Sequence, residues 1–381
     1  MIEDSIHDVN RWVRVLVCPL GAPGWYAPAT RPGLPRGRDL KPKRQSAKIS
    51  DVAKAAGVSQ AAVSRVMRGD ASFVVREETR KRITDVAREL NYQPNPAARG
   101  LRTSRSLSLG IVVPELDNPI HAKIIIGAER AAAERGYSLL IAHRDDGMEE
   151  TAIYERLVHR NRVDGLIVAT LQDEQVGVSA LKELEHPFVL VNRKARGVEH
   201  HVVINDRGGA KRAVAYLATL GHQRIAHLSG SPARYNSICR LEGYRDGLQE
   251  AGLDFDPALV VEAGYTMSGG AAAMRKLLDS AHPRPTALFA STLMVAAGAM
   301  GVLREAGVRI PQDMSIIGFN DGAIADVLAP PLTTVRTPLE NMGYLAASSL
   351  INHIQDGGHF AGAMLKDIEI VERKSTSAPG G

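Results

Sequence analysis

A short run of residues with the chemistry to read a duplex stands out near the amino end. In DVAKAAGVSQAAVSRVMRG, residues 51–69, Ser59, Gln60, Ala61, Ser64 and Arg65 fall at the start and along one face of a short helix. An arginine fork matches guanine N7 and O6, and a glutamine amide matches adenine, so a helix presenting both suits a major groove. An Ala-rich helical pair with solvated charges is the plain alternative. A second stretch, ELNYQPNPAARGLRTSRS, residues 89–106, follows. Tyr92 and Asn95 can hydrogen-bond phosphates, and Arg99, Arg102 and Arg105 can neutralise them. Leu101, apolar among basic residues, has the character of a wedge for a minor-groove base step. Segment 96–101 predicts a short helix, too marginal to form alone, that folds on contact with DNA; a bland linker is its rival.

Catalytic chemistry is poorly supported. Gly-x-Gly-x-x-Gly, the P-loop and Gly-x-Ser-x-Gly are missing, and His200, His201, His222 and His227 lack metal-ligand spacing with cysteines or carboxylates. The expectation is no enzyme activity, no metal and no cofactor.

The elements that must position these residues follow from periodicity. Ile49, Val52, Ala53 and Ala56 recur at helical spacing until Gly57 breaks the run. Ser59 is a good N-cap for a second helix, Gln60 to Met67, with Val63, Val66 and Met67 inward. A third, about Glu77 to Leu90, buries Ile83, Val86, Ala87 and Leu90. Together they predict an all-α helix-turn-helix head. From Leu107 onward, apolar runs (LSLGIVV, YSLLIA, GLIVA, FVLV, RIAHL, TALFA, SIIGF) alternate with helical stretches at 120–135, 149–160, 209–220, 240–251, 268–279, 294–306 and 339–355. Continuous apolar strands alternating with helices indicate doubly wound parallel sheets, and the length indicates two of them. Ligands sit beyond the carboxyl ends of such strands, so the cleft between two sheets is the expected pocket.

Charge agrees with this division. Residues 41–105 hold 15 Lys/Arg against 6 Asp/Glu, whereas residues 106–381 hold 27 against 32. A basic segment on a mildly acidic body belongs to a protein that meets phosphates at one end. Cys18 and Cys239 are far apart and suit a reducing cytoplasm. No apolar run is long enough to span a membrane, and VRVLVCPL at residues 13–20, short and broken by Arg14, is not expected to direct export. Residues 1–46, rich in Pro, Gly and Arg, read as a disordered extension or as sequence upstream of the true start.

DVAKAAGVSQAAVSRVMRG and EETRKRITDVARELNYQPNPAARGL resemble the DNA-binding headpiece and hinge of the lactose/galactose repressor (LacI/GalR) family. The resemblance continues through SLGIVVPELDNPI, RVDGLIV, LATLGHQRIAHLSG, CRLEGYRDGL, RIPQDMSIIGFND and APPLTTV, and covers residues 48 to about 374. It implies an α/β core of two periplasmic-binding-protein-like (type I) subdomains, with repressor function, homodimerisation and an effector in the interdomain cleft; a tetramer stays open. On it, Gln60, Ala61 and Arg65 occupy base-reading positions and Leu101 is the intercalating hinge leucine. Ser59, Ser64, Thr79, Tyr92 and Asn95 match phosphate-binding positions. Arg240 falls where the family grips ligand oxygens. Asn192 and Asn320 stand at strand ends that often carry Asp, Ser291-Thr292 replaces the usual Asn-Asp pair, and His121 replaces an aromatic ring. Two missing carboxylates favour a sugar acid or other carboxylate effector over a neutral sugar, with a different sugar as the alternative.

The domains expected are residues 47–93 for the head, 94–106 for the hinge and 107–374 for the core. Within the core, a first subdomain takes about 107–204 with 337–357, a second takes 205–336 with 358–374, and 375–381 form a disordered tail. The expected partners are double-stranded operator DNA, a small sugar or sugar-acid effector and a second copy of the chain. The rivals are a transporter's solute-binding protein, which shares the core but has no use for residues 48–105, and an enzyme on the same fold.

Overall fold

The computed structural model describes residues 47–67, 69–70, 72–92, 105–116, 118–143, 149–171, 173–280, 283–358 and 360–380. These fall into two compact units, a helical head ending at Tyr92 and a core beginning at Arg105. Asn95, Arg99 and Leu101 lie outside the described residues, as does the extension 1–46.

The head comprises α1 (Ile49–Ala56), α2 (Gln60–Met67) and α3 (Glu77–Glu89). Gly57 ends α1 with φ +63°, a left-handed turn open to glycine at no steric cost, and Ser59 Oγ accepts from Ala62 N at 3.2 Å. Val52, Ala53, Ala56, Val63, Val66, Ile83 and Ala87 form its core. Leu90, expected inside, is instead the C-cap of α3 and 39% exposed. Phe73, Val75 and Tyr92 close the core in its place.

The core unit holds two six-stranded sheets. The first is built from β1 (Ser108–Val113), β2 (Ser138–His143), β3 (Gly165–Val168), β4 (Phe188–Val191), β5 (His201–Ile204) and β11 (Ala363–Leu365), in the order β11-β5-β4-β3-β1-β2, all parallel. The second is built from β6 (Ile225–Ser229), β7 (Val260–Glu262), β8 (Ala287–Ala290), β9 (Ser315–Phe319), β10 (Thr333–Arg336) and β12 (Glu369–Val371), in the order β12-β10-β9-β8-β6-β7, with only β12 antiparallel. The first sheet packs α4 (Pro119–Glu134) and α12 (Leu339–Asp356) on one face, and α5 (Glu150–Val158) and α6 (Glu174–Glu183) on the other. The second packs α7 (Asp206–Thr219) and α8 (Tyr235–Glu250) on one face, and α9 (Met267–Ser280) and α10 (Leu293–Glu305) on the other, with a short α11 (Ile324–Val327) beyond β9. Covered on both faces, the strands can be apolar throughout. Among the described residues, no helix is long and apolar enough to cross a membrane.

The chain passes between the sheets at Asn205, at Thr337-Pro338 and at residues 366–368. The third passage corrects one expected boundary: β11 pairs with β5 in the first sheet, so residues 363–365 do not belong with the second subdomain. The expected disordered tail is also corrected. Ser375 is fully buried, donating to Ile316 O at 2.6 Å and accepting from Thr333 N at 2.8 Å, and Ser377 N donates to Ser315 Oγ at 3.0 Å. These bonds strap residues 375–377 to the second sheet.

Three helix pairs cross at backbone contact, each through glycine. A Cβ on Gly127 of α4 would sit 1.8 Å from Glu340 O, and one on Gly343 of α12 would sit 2.0 Å from Ile124 O. A Cβ added to Gly243 of α8 would sit 2.1 Å from Arg207 O of α7, and one added to Gly298 of α10 would sit 1.9 Å from Met267 O of α9.

Candidate nucleic-acid interface and ligand cleft

In the head, Ser59, Gln60, Ala61 and Arg65 are exposed on the amino-terminal part and outer face of α2, while Ser64 is half-buried. The Arg65 guanidinium lies 5.3 Å from the Phe73 ring centroid, a contact that restrains a long side chain without consuming its donors. Thr79 sits half-buried in the first turn of α3. Tyr92 packs against the head core, and burial raises the pKa of its hydroxyl. Arg80 pairs with Glu77 and Arg88 with Asp85, but Lys48, Lys54, Arg76, Lys81 and Arg82 are exposed with no carboxylate within 4 Å among the described residues. Those five cations are available to a polyanion. Arg105 is not: its guanidinium donates to Ile354 O at 2.9 Å, near the carboxyl end of α12, while Asp164 takes Ser106 N at 2.6 Å and Leu107 N at 3.0 Å. That arginine anchors the chain to the core rather than meeting phosphates.

In the core, the five residues expected around an effector behave differently. Asn192 follows β4, Ser291 follows β8 and Asn320 follows β9, all at strand carboxyl ends and all buried. Asn192 and Asn320 adopt φ of +61° and +69°, a region asparagine enters more readily than other side chains. Asn320 Oδ1 accepts from Thr337 Oγ1 at 2.9 Å, tying a strand end to an interlobe passage. Asn192 Oδ1, Ser291 Oγ and Asn320 Nδ2 are buried without a hydrogen-bond partner among the described residues. His121 lies in the first turn of α4, its Nδ1 2.7 Å from Glu115 O in the preceding loop.

Arg240 is among the largest fully buried side chains of the described residues. Its Nε donates to Asp206 Oδ1 at 2.8 Å, its Nη1 donates to Ser291 O at 2.5 Å, and its guanidinium lies 4.0 Å from the Phe319 ring centroid. Burial pushes the Asp206 carboxyl up while Arg240 draws it back down. The structure thus brings Arg240 and Ser291 together, and adds Asp206, which sequence reasoning missed: an aspartate in the first turn of a helix reads as a dipole partner.

Loops from the two sheets meet beside these residues. Arg193, two positions past β4, donates from Nε to Ala169 O at 3.0 Å and from Nη1 to Leu171 O at 3.3 Å. Arg234, just before α8, donates from Nη1 to the same Leu171 O at 2.6 Å, and Lys194 Nζ lies 5.8 Å from the Tyr235 ring centroid. Neither arginine carries a sequence signal beyond lying in a loop after a strand.

A helix-turn-helix head with exposed cations, joined in one chain to an α/β core of two parallel-type sheets, defines a DNA-binding regulator. Residues 48–95 match the model of bacterial regulatory proteins of the lacI family, and residues 214–376 match a periplasmic binding protein-like domain. The HTH-type transcriptional regulator DegA of Bacillus subtilis (strain 168) is 34% identical over 77% of this chain and 88% of its own length. A transcriptional regulator CelR–cellobiose complex superposes with TM-score 0.66 at 31% identity, covering 86% of this chain and 99% of that one. The lac repressor dimer bound to operator and an anti-inducer gives TM-score 0.77 at 26% identity, covering 88% and 100%. The chain belongs to the lacI family of bacterial transcriptional regulators.

Proposed function

We propose that the chain is a cytoplasmic repressor that binds operator DNA as a homodimer and is switched by a small sugar or sugar acid held between the two lobes of its core. Gln60, Ala61, Arg65 and Leu101 would make the groove contacts, with Ser59, Ser64, Thr79, Tyr92, Asn95 and Arg99 on phosphates. Two half-sites suit a dimer because one recognition helix reads too few base pairs. His121, Asn192, Arg240, Ser291 and Asn320 would form the effector site.

The observation that carries the effector reading is the set of orphaned polar atoms, Asn192 Oδ1, Ser291 Oγ and Asn320 Nδ2. A buried polar atom without a partner costs about 1–3 kcal/mol, and three at strand carboxyl ends suit a ligand that supplies the missing bonds. An amide oxygen, an amide N–H and a hydroxyl together match sugar hydroxyls, which both donate and accept. The CelR complex with cellobiose and the lac repressor dimer bound to operator and an anti-inducer support this reading by similarity.

The test is a gel shift of the full chain with genomic fragments, repeated with a panel of sugars and sugar acids. A retained fragment, lost at high salt and released or tightened by one compound that also raises Tm, is expected. No shift at low salt overturns the DNA-binding reading. A compound that raises Tm yet leaves DNA binding unchanged overturns the switch and favours a solute-binding role.

A further inference from the structure

We propose that Arg193 and Arg234 form an anion-binding latch between the two lobes, filled by a carboxylate or phosphate group on the effector. The inference rests on the effector reading above and narrows it: the ligand is an acid, and its acidic group draws the lobes together.

The geometry is unusual for two cations. A single neutral oxygen, Leu171 O of the first lobe, receives Arg193 Nη1 from its own lobe and Arg234 Nη1 from the other. The two nitrogens are therefore no more than about 6 Å apart, and like charges so placed repel unless something negative lies between them. Among the described residues, neither guanidinium has a carboxylate within 4 Å. Glu150 acts on Arg193 electrostatically, and Asp206 is committed to Arg240 at 2.8 Å. Burial, reinforced by Arg234, holds the Arg193 pKa down to about 10.

Tyr265 lies near this pair. Its hydroxyl donates to Asn236 Oδ1 at 3.2 Å, and an added Cβ on Gly230 would lie 3.0 Å from its ring. Burial raises the Tyr265 pKa, while Arg240, Arg234 and Arg193 all pull it down. Arg240, Arg234 and Arg193 thus all lie near enough to Tyr265 to act on it electrostatically. Each guanidinium carries five N–H donors. The bonds to Ala169 O and Leu171 O occupy two on Arg193, and the bond to Leu171 O occupies one on Arg234. A carboxylate or phosphate can accept from both forks at once, turning a repulsive contact into a charge-assisted bridge. A neutral sugar cannot, so the acidic group selects the closed arrangement of the lobes.

The experiment is a thermal-shift titration of the full chain with inorganic phosphate and, separately, acetate, each at constant ionic strength set with chloride. D-glucose 6-phosphate, D-glucuronate and D-glucose follow. A saturable rise in Tm with phosphate points to a phosphate ester, and one with acetate to a sugar acid. Arg193→Gln and Arg234→Gln should each weaken the active anion about ten- to a hundredfold. The unliganded Arg193→Gln protein loses its bonds to Ala169 O and Leu171 O along with a repelling charge, so each variant's anion response is read against its own unliganded Tm. Lack of a saturable rise with either simple anion overturns the latch, as does a rise that survives both substitutions. A neutral sugar that raises Tm and alters operator binding equally in the parent and both variants would refute the latch while leaving the effector reading intact.

Discussion

Replacing Arg240 with Met removes one half of an ion pair whose side chains are each only 2% exposed. Asp206 Oδ1 would lose its donor at 2.8 Å, Ser291 O would lose a donor at 2.5 Å, and the Phe319 ring would lose a cation 4.0 Å from its centroid. Breaking a buried pair by removing one partner costs roughly 3–5 kcal/mol, chiefly because the remaining charge is stranded. For a unit of this size that is a fall in Tm on the order of 10 °C. Asp206→Asn added to Arg240→Met removes the stranded charge and should recover at least about 2 kcal/mol, while the response to effector stays lost. The pH dependence has a definite sign. Without the guanidinium, the buried Asp206 carboxyl has a folded-state pKa raised above its unfolded value, so the folded state binds the proton more tightly. Stability is then fully present below the unfolded pKa and declines as pH rises through the folded one, making Arg240→Met better tolerated at pH 5 than at pH 8. Circular dichroism melts of the four proteins at both pH values supply the cycle. A single-variant cost below about 1 kcal/mol, or Asp206→Asn just as costly without Arg240, refutes the pairing argument.

Arg65→Ala should cost about 1–3 kcal/mol of operator affinity and relax preference at one base pair, measured against singly substituted operators; uniform weakening on every sequence would assign Arg65 to packing on Phe73 or to phosphate. His227 is fully buried between Phe289 and Tyr244, with its pKa pushed down by burial to about 4 from 6.5. A depressed histidine gives stability that is present above pH 6.5 and lost as pH falls towards 4, about 3 kcal/mol in all. His227→Phe should therefore flatten the fall in urea midpoint between pH 7 and pH 5, and an unchanged slope would count against that origin. Gly127→Ala places a methyl against Glu340 O and should destabilise by about 1–3 kcal/mol in urea unfolding, with loss of the tight α4–α12 contact; a neutral result would mean the helices part freely.

Much of this architecture could be read from residues whose local and tertiary roles coincide. Helices α1 and α2 follow from a 3.6-residue apolar stripe bounded by Gly57 and Ser59, and each strand of four or more consecutive apolar residues declares itself. The elements that escaped are those too short or too polar for periodicity to appear. Strands β7, β11 and β12 have three residues each, β10 is Thr-Thr-Val-Arg, and β5 begins on a histidine. Helix α7 starts at Asp206, earlier than its apolar stripe suggests, because Asn205 caps Gly208 N at 3.0 Å ahead of a Gly-Gly pair. For α6 a signal was available in the Asp173 cap and in Val178 and Leu181 at i, i+3. The tail's role rests on Ser375 and Ser377 meeting residues some sixty positions earlier, which no local pattern encodes. The same holds for Asp206, Arg193 and Arg234, whose meaning depends on which loops the two sheets bring face to face.

Helix α12 leaves the passage at Thr337, whose hydroxyl holds the cleft residue Asn320, and ends beside Ile354, whose carbonyl Arg105 grips. Its 18 residues make a strut about 27 Å long, and the notch between Gly127 and Gly343 clamps α4 to its flank. A helix so clamped resists bending, so a tilt imposed at one end is carried toward the other. A turn of about 4° at the ligand end displaces the far tip by roughly 2 Å, the scale of a lost hydrogen bond. An effector held where we propose would thereby bear on the carbonyl that Arg105 grips.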